Sequence, residues 1–284
     1  MYYKALKDER YNTLYTAFTK AFSDYQVNIN LSPEAFQRML KRRGYSPEFS
    51  YGAYDNDELI GFILNGIRKW NNKITAYDTG TGVIATYRKR GVTTKLFSHI
   101  KEILLQNQVE QYLLEVIQSN NVAADLYLKQ GFQITREFIC YQAEKIEINK
   151  VKSCEAIISS GQFDIVNWDQ LESFWDFMPS WQNSVDSVIC AKDSLHMTIA
   201  RLENNVVGYG IIDMNTGDIP QLAVKRKFRN MGIGHVILKN LVGCTKSNHI
   251  RFINVEDSCE TLNKFLRNNG LKEITKQYEM VMSI

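Results

Sequence analysis

The segment Arg88-Lys89-Arg90-Gly91-Val92-Thr93-Thr94 sets three cations beside a glycine, where a strand pattern gives way to a helix pattern. Unpaired backbone N–H groups and the helix dipole at such a junction attract an anion, and a glycine lets the backbone approach it closely. Charge-assisted hydrogen bonds from the flanking cations to a pyrophosphate would each be worth roughly 1.5 to 3 kcal/mol. A solvated basic turn is the simpler reading of that segment alone. Its recurrence as Arg229-Asn230-Met231-Gly232-Ile233-Gly234 favours the binding role. Another stretch, Gly80-Thr81-Gly82-Val83-Ile84-Ala85, fits GxGxxG/A, but Val83-Ile84-Ala85 itself reads as strand and the nearest following acid, Glu102, falls inside a predicted helix. A dinucleotide fingerprint needs the motif to open a helix and the acid to end a second strand. No GxxxxGK[ST] occurs, which disfavours a P-loop nucleotidase.

These loops belong to a plan that occurs twice. Leu59-Ile60-Gly61-Phe62 pairs with Val206-Val207-Gly208-Tyr209, 147 residues apart at the glycines, and Gly91 pairs with Gly232 at 141. Leu114-Glu115-Val116 pairs with Ile253-Asn254-Val255 at 139, and Ile134 to Phe138 with Ile274 to Tyr278 at 140. A conserved order with loop-sized drift means duplication of a whole domain rather than a solenoid. The first copy predicts a helix from Glu9 to Phe22 and a second capped by Ser32 with Pro33 at its first position. Strands follow near Phe49 to Tyr54, Leu59 to Asn65 and Thr75 to Ala85. A helix near Arg90 to Gln106 then carries Leu96, Phe97, Ile100, Ile103 and Leu104 on one face. Gln111 to Ile117 reads as strand, Asn121 to Gln130 as a helix ended by Gly131, and Phe138 to Ala143 as a last strand. Charged Glu144 to Lys152 reads as the linker, giving domains 1–148 and 149–284. The fold class is mixed α/β (α+β), twice.

With 284 residues, 44% of them apolar and 23% charged, the chain can bury a core in each domain. Its net charge of +3 is too small for a dedicated nucleic-acid binder. Basic Lys41-Arg42-Arg43 reads as a solvated helix face. Met1 to Arg10 lacks the apolar core of a signal peptide, and no run nears the ~18 apolar residues of a membrane span. The expectation is a soluble cytoplasmic protein that uses neither membrane nor nucleic acid. Five scattered cysteines read as reduced thiols, and neither CxxC nor a histidine pair at metal spacing occurs, so no metal is expected.

The residues resemble the GNAT superfamily of acyl-CoA-dependent N-acyltransferases, over both halves. That family's pyrophosphate loop follows (Q/R)xxGx(G/A). Arg88 to Thr93 fits except for Thr93 at the last small position, and Arg229 to Gly234 fits throughout. The family's valine five residues before the Arg or Gln stands at Val83 and at Val224. Its later pattern appears as Leu114-Glu115-Val116, Asn121, Ala123-Ala124, Tyr127 and Gly131-Phe132. The resemblance implies two GNAT-like domains, each a mixed, mostly antiparallel sheet flanked by helices. It implies that backbone groups of Val83 and Ala85 and the side chain of Asn121 hold the pantetheine arm of acetyl-CoA. The pyrophosphate would be held by Arg88, Lys89, Arg90, Gly91, Val92, Thr93 and Thr94.

Acetyl transfer to an amine requires a neutral nucleophile, yet a lysine-type amine with pKa ~10.4 is almost wholly protonated at neutral pH. A leaving thiolate, of thiol pKa ~8.5, departs faster when a placed acid protonates it. The resemblance assigns that acid to Tyr127; packing alone would otherwise explain it. Asp78 and Glu115 are the nearby carboxylates: Asp78, preceding the Gly80 to Ala85 segment, could face the acceptor, but a strand-initiating turn accounts for it equally well; Glu115 reads as structural, and the base stays unassigned. At 139 residues' offset, Leu266 replaces Tyr127 and Glu260 replaces Asn121, and a leucine cannot protonate a thiolate. The expected function is therefore N-acetyl transfer from acetyl-CoA to an amine of a small molecule or peptide, with the N-terminal domain catalytic and the second degenerate or structural. Two alternatives stand: catalysis in the C-terminal domain, or an acyl-CoA-sensing or partner-binding protein without turnover. Phe174, Trp175, Phe177 and Trp181 read as an interdomain contact, with an apolar wall of the first domain's acceptor pocket as the other possibility.

Overall fold

The computed structural model describes residues 1–24, 31–145 and 154–284. In chain order its elements are β1 (Tyr2–Ala5), α1 (Tyr11–Phe22), α2 (Pro33–Arg43), β2 (Tyr51–Asp55), β3 (Glu58–Trp70), β4 (Lys73–Val83), α3 (Val92–Gln106), β5 (Gln111–Ile117), α4 (Asn121–Gln130) and β6 (Gln133–Glu144). There follow β7 (Ile157–Ser160), α5 (Trp168–Glu172), α6 (Val185–Cys190), β8 (Leu195–Leu202), β9 (Asn205–Asp213), β10 (Gln221–Val224), α7 (Ile233–Cys244), β11 (His249–Glu256), α8 (Glu260–Asn268) and β12 (Lys272–Ser283). The α/β alternation expected from the sequence is present in both copies. Most of the predicted linker, 146–152, and the expected boundary at 148/149 lie outside the described residues.

The compact units depart from the two halves of the chain. The first comprises Met1–Val116, Asn120–Thr135 and Glu279–Ile284; the second comprises Ile117–Ser119 and Arg136–Tyr278. The end of the chain is thus counted with the first unit and most of β6 with the second. This counting differs from a division at 148/149, and strand propensity alone does not reveal which unit a strand is counted with.

In the first unit β1 to β4 form an antiparallel meander. Its two-residue turns, Asn56-Asp57 and Asn71-Asn72, all have positive φ, the conformation that matches strand twist and that Asn and Asp tolerate best. Strand β5 joins β4 in parallel only over Thr75–Tyr77 against Gln111–Leu113. Leu96, Phe97, Ile100 and Leu104 of α3 are fully buried, while α1 and α2 cover Phe62 and Leu64 of β3. Ser32 caps α2, its hydroxyl accepting from the Ala35 N–H at 3.2 Å with Pro33 next, and Gly131 ends α4 at φ 101°; both ends are as the sequence predicts. The C-terminal end of α2 rests on β3, where a Cβ on Gly66 would collide with the Arg43 carbonyl oxygen. Gly66→Ala is expected to destabilise the protein by about 1 to 3 kcal/mol, measured by urea unfolding, because backbone rather than a flexible side chain must yield.

In the second unit β7 to β10 form an antiparallel sheet in the order β10-β9-β8-β7, and β11 pairs antiparallel with β6. A bulge at Ile253-Asn254, with Asn254 at φ 62°, interrupts β11. Ile237, Leu238 and Leu241 of α7 and Leu266 of α8 are completely buried in this unit's core.

Candidate active site

Beyond Tyr77 and Leu113 the paired register ends, yet β4 continues to Val83 and β5 to Ile117. A parallel pair that separates leaves inward-facing backbone groups available to a ligand. Asp78 is the first residue of β4 past that point, beside an irregularity in the β3–β4 register at Leu64/Asn65. It lies within a strand rather than at a strand-initiating turn, which corrects that reading. Its carboxylate is buried and accepts hydrogen bonds from the Gly80 N–H (2.8 Å) and the Thr81 hydroxyl (2.6 Å). Burial pushes its pKa up, and those hydrogen bonds with the Arg43 charge only partly oppose it, leaving it at about 6. The Arg43 guanidinium is held in place by donating to the Thr79 carbonyl at 2.8 Å.

Two tyrosines, Tyr77 and Tyr112, feel the charge of this carboxylate. Tyr112 is buried, donates to Asn65 Oδ1 at 2.6 Å, and feels the charges of Asp78 and Tyr127. Tyr77 is pushed well above its ordinary pKa by burial and then by Glu115, with which it shares a hydrogen bond. Tyr127 projects from α4 edge-on to Phe97 and Phe132, with ring centroids 5.9 and 5.8 Å away. Asn121 is the exposed first residue of α4, and Asn120 is the cap, its side chain accepting from the Ala123 N–H at 3.2 Å. Six residues of helix turn through about 240°, so Asn121 and Tyr127 point in different directions.

The glycine loop follows β4. Lys89 (φ 60°) and Gly91 (φ 73°) are both left-handed and lead into α3, whose first turn has no side-chain cap. The N–H groups of Val92, Thr93 and Thr94 therefore face outward for an acceptor. A Cβ placed on Gly91 would meet nothing within 4 Å, so open space adjoins those amides. Lys89 and Arg90 are exposed, and Arg90 lies over the Tyr87 ring. Arg88 is used differently. It donates to the Val83 carbonyl (3.0 Å), the Ala21 carbonyl (2.8 Å) and both oxygens of Asp24 (2.6 and 2.7 Å), anchoring the loop to the end of α1. Ala85 lies exposed in the turn between Val83 and Arg88.

The second unit repeats this construction. Asn230 (φ 64°) and Gly232 (φ 82°) are left-handed, and Arg229 donates to the Val224 carbonyl (2.9 Å), the Phe174 carbonyl (3.1 Å) and Asp176 (3.0 Å). Asp176 also accepts from the Thr261 hydroxyl of α8 at 3.1 Å, so one carboxylate ties residues that follow both β10 and β11. Burial raises its pKa, but Arg229 and Thr261 outweigh that and hold it below the ordinary value. A cavity of about 900 Å³ opens between β10 and β11, walled by Phe174, Trp175, Phe177, Leu222, Phe252 and Phe265. The aromatic cluster therefore serves this unit's own core and cavity, with Phe174 buried in that core and Trp175 half-buried against it. Sequence reading missed the cavity because the cluster precedes the strands that complete it.

Comparison with known proteins follows the same division. The acetyltransferase (GNAT) family model matches residues 11–132, and an acetyltransferase (GNAT) domain model matches residues 164–281. The chain belongs to the GNAT family. Two GNAT domains in tandem account for the internal repeat. In sequence the chain is 32% identical over 83 residues to N-alpha-acetyltransferase 50 of Danio rerio, covering 29% of this chain and 49% of that protein. It is 27% identical over 88 residues to N-alpha-acetyltransferase 30 of Schizosaccharomyces pombe, covering 30% and 58%. These matches span about half the length of those relatives. In fold it is similar to a tandem GNAT protein from the clavulanic acid biosynthesis pathway, with TM-score 0.73, 11% identity and coverage of 99% and 98%. A GCN5-related N-acetyltransferase from Sphaerobacter thermophilus gives 0.73, 12%, and 99% and 95%. No helix among the described residues is long and apolar enough to cross a membrane, and no cluster of metal-ligating side chains occurs among them.

Proposed function

We propose that this GNAT chain is an N-acetyltransferase that uses acetyl-CoA to acetylate an amine of a small molecule or peptide, with the chemistry in its first unit. The observation that carries the reading is the placement of Asp78 where β4 leaves β5, with Tyr127 on the neighbouring α4 and an open amide loop at Gly91. The N-alpha-acetyltransferase relatives support an amine acceptor. The N–H groups of Val92 to Thr94, with Lys89 and Arg90, suit the pyrophosphate of CoA, and Val83 and Ala85 suit its pantetheine arm. Arg88 serves the same site by fixing the loop.

Asp78 takes the proton that the acceptor nitrogen releases as its bond to the acetyl carbon forms. A carboxylate of pKa about 6 is mostly ionised at pH 7 while remaining more basic than an ordinary aspartate. Tyr127 gives its hydroxyl proton to the sulfur as the carbon–sulfur bond breaks, so the products are an amide and a free thiol. Tyr127→Phe is expected to lower kcat by about 10² to 10⁴ while changing KM for acetyl-CoA little, because the ring packing on Phe97 and Phe132 survives. Unchanged kcat would remove Tyr127 as the acid.

The cavity of the second unit favours a second reading, in which that unit is catalytic. Under it, Gly232→Glu rather than Gly91→Glu would abolish turnover.

A further inference from the structure

The chain leading into β10 meets β11 in a parallel bridge, Asp218 to Arg251, and past that point the two strands part. Asn183 lies across the parting. Its carbonyl accepts from Gln221 Nε2 of β10 at 2.7 Å, and its own Nδ2 donates to the Ile253 carbonyl of β11 at 2.7 Å. Three residues earlier the Ser180 hydroxyl accepts from Asn254 Nδ2 at 3.1 Å, and the Met178 carbonyl accepts from Arg136 at 2.6 Å. At the other end Trp175 Nε1 donates to the Tyr209 hydroxyl of β9 at 2.6 Å, and Asp176 accepts from Arg229 and Thr261. Trp181 anchors the middle: its side chain is completely buried, and its carbonyl accepts from the Ser184 (2.8 Å) and Ser187 (2.7 Å) hydroxyls. Residues 174–184 thus form a strap tied to β9, β10 and β11.

The strand beneath the strap is distorted. Asn254 is left-handed, φ 62°, in the bulge between Phe252 and Val255. A residue with a Cβ is disfavoured in that conformation and keeps it only where its surroundings hold it. Two strap bonds, to the Ile253 carbonyl and from the Asn254 side chain, act at that very place. In the first unit the matching stretch, Leu114-Glu115-Val116, contains no positive φ. Gly80 stands there at the 141-residue counterpart of Gln221, and it has no side chain with which to anchor such a strap. The same strand is therefore regular where that anchor is missing and bulged where the strap is bound.

We propose that residues 174–184 are a closing strap, which shuts the parting of β10 and β11 to molecules from solution and is released as a unit, letting β11 relax to the regular form of β5. Asn183 bonds both strands through one side chain and one carbonyl, so losing either bond strands a buried group and favours loss of the other. Release competes only with a few polar ties and is helped by the strain at Asn254, so it costs less than unfolding the unit. The inference goes beyond the assignment of transfer to the first unit and is read without any acetyl transfer, so either can fail alone.

Cys140 is the reporter, because it is 2% exposed and its Sγ lies 3.8 Å from Asn254 Oδ1. In the full-length unaltered chain, iodoacetamide should modify Cys140, located by peptide mapping, at a rate that changes little in low urea, since local release exposes little surface. Modification that follows the urea dependence of global unfolding overturns the strap. Asn183→Ala should speed both Cys140 modification and amide exchange over residues 252–256 by about tenfold or more, while β8 and β9 keep native protection. Ser180→Ala, which deletes one hydroxyl, should act in the same direction and serves if Asn183→Ala does not fold. Unchanged rates in a folded variant overturn the proposal. Faster exchange throughout the second unit does so too, because the segment would then be part of its core rather than a separable strap.

Discussion

Gly91→Glu should reduce acetyl transfer by two orders of magnitude or more while leaving the protein folded. The backbone there is left-handed, φ 73°, where a residue with a Cβ is disfavoured by roughly 1 to 2 kcal/mol. That strain is small beside the stability of a chain with two cores, and the Cβ itself meets nothing within 4 Å. The carboxylate would instead occupy the approach to the Val92, Thr93 and Thr94 amides and pair with Lys89 or Arg90. Loss of two charge-assisted hydrogen bonds, each worth roughly 1.5 to 3 kcal/mol, corresponds to about 10² to 10⁴ in affinity. Gly91→Ala is the control, because it carries the backbone strain without the charge. The expected pattern is a modest drop in melting temperature for both variants and a large rise in KM for acetyl-CoA for the glutamate alone. Equal KM values in the two would show that no pyrophosphate binds at this loop.

The loop was legible in the sequence because its requirements are local. A left-handed glycine, a following helix and adjacent cations all lie within seven residues, and the repeat exposed them twice. The Ser32 cap and the Gly131 stop were readable for the same reason. What the sequence hid was where Arg88 points. Charge alone places it among the phosphate contacts, but Asp24, 64 residues away, and the carbonyls of Val83 and Ala21 claim its donors. The same division of labour at Arg229 and Asp176 makes this a repeated device, with one arginine in each unit fixing the loop that other groups use. The difference between Asn120 and Asn121 is a one-residue boundary that composition does not resolve.

Long-range arrangement was harder still. Nothing in the pattern of Ile274 to Tyr278 indicates that Glu279–Ile284 is counted with the first unit. Apolar alternation fixes which face of a strand is buried, not which neighbour it chooses. The second unit's cavity is a product of similar distance: Trp175, Gln221 and Phe252 are spread over 77 residues and become neighbours only when β10 and β11 separate. Asp78 falls between these extremes. An acid amid Tyr77, Thr79 and Gly80 looks like a turn, whereas the register shift opposite Asn65 keeps it inside β4 and buries it.

Burial of that carboxylate gives opposite effects on stability and rate. The folded-state pKa of about 6 exceeds the ordinary value of 3.8, so between those values the native protein binds more protons than the unfolded chain. Stability from this group is therefore greatest at acid pH and falls as pH rises through about 4 to 6, by an amount of order 2 to 3 kcal/mol. Asp78→Asn removes the titration, and its amide oxygen can still accept from the Gly80 N–H. The variant should consequently be more stable than the native chain above pH 6, with the gap shrinking toward pH 4. Its turnover should fall by about 10² to 10⁴, since an amide cannot accept the acceptor's proton. In the native enzyme the acid limb of kcat/KM should have its midpoint near pH 6, and in Asp78→Asn that limb should disappear. A variant that gains stability at pH 8 yet keeps the limb would leave Asp78 as a buried charge with no part in proton transfer. If the limb moved to a lower pH instead, another base, with Glu115 the nearest candidate on β5, would have to take the role.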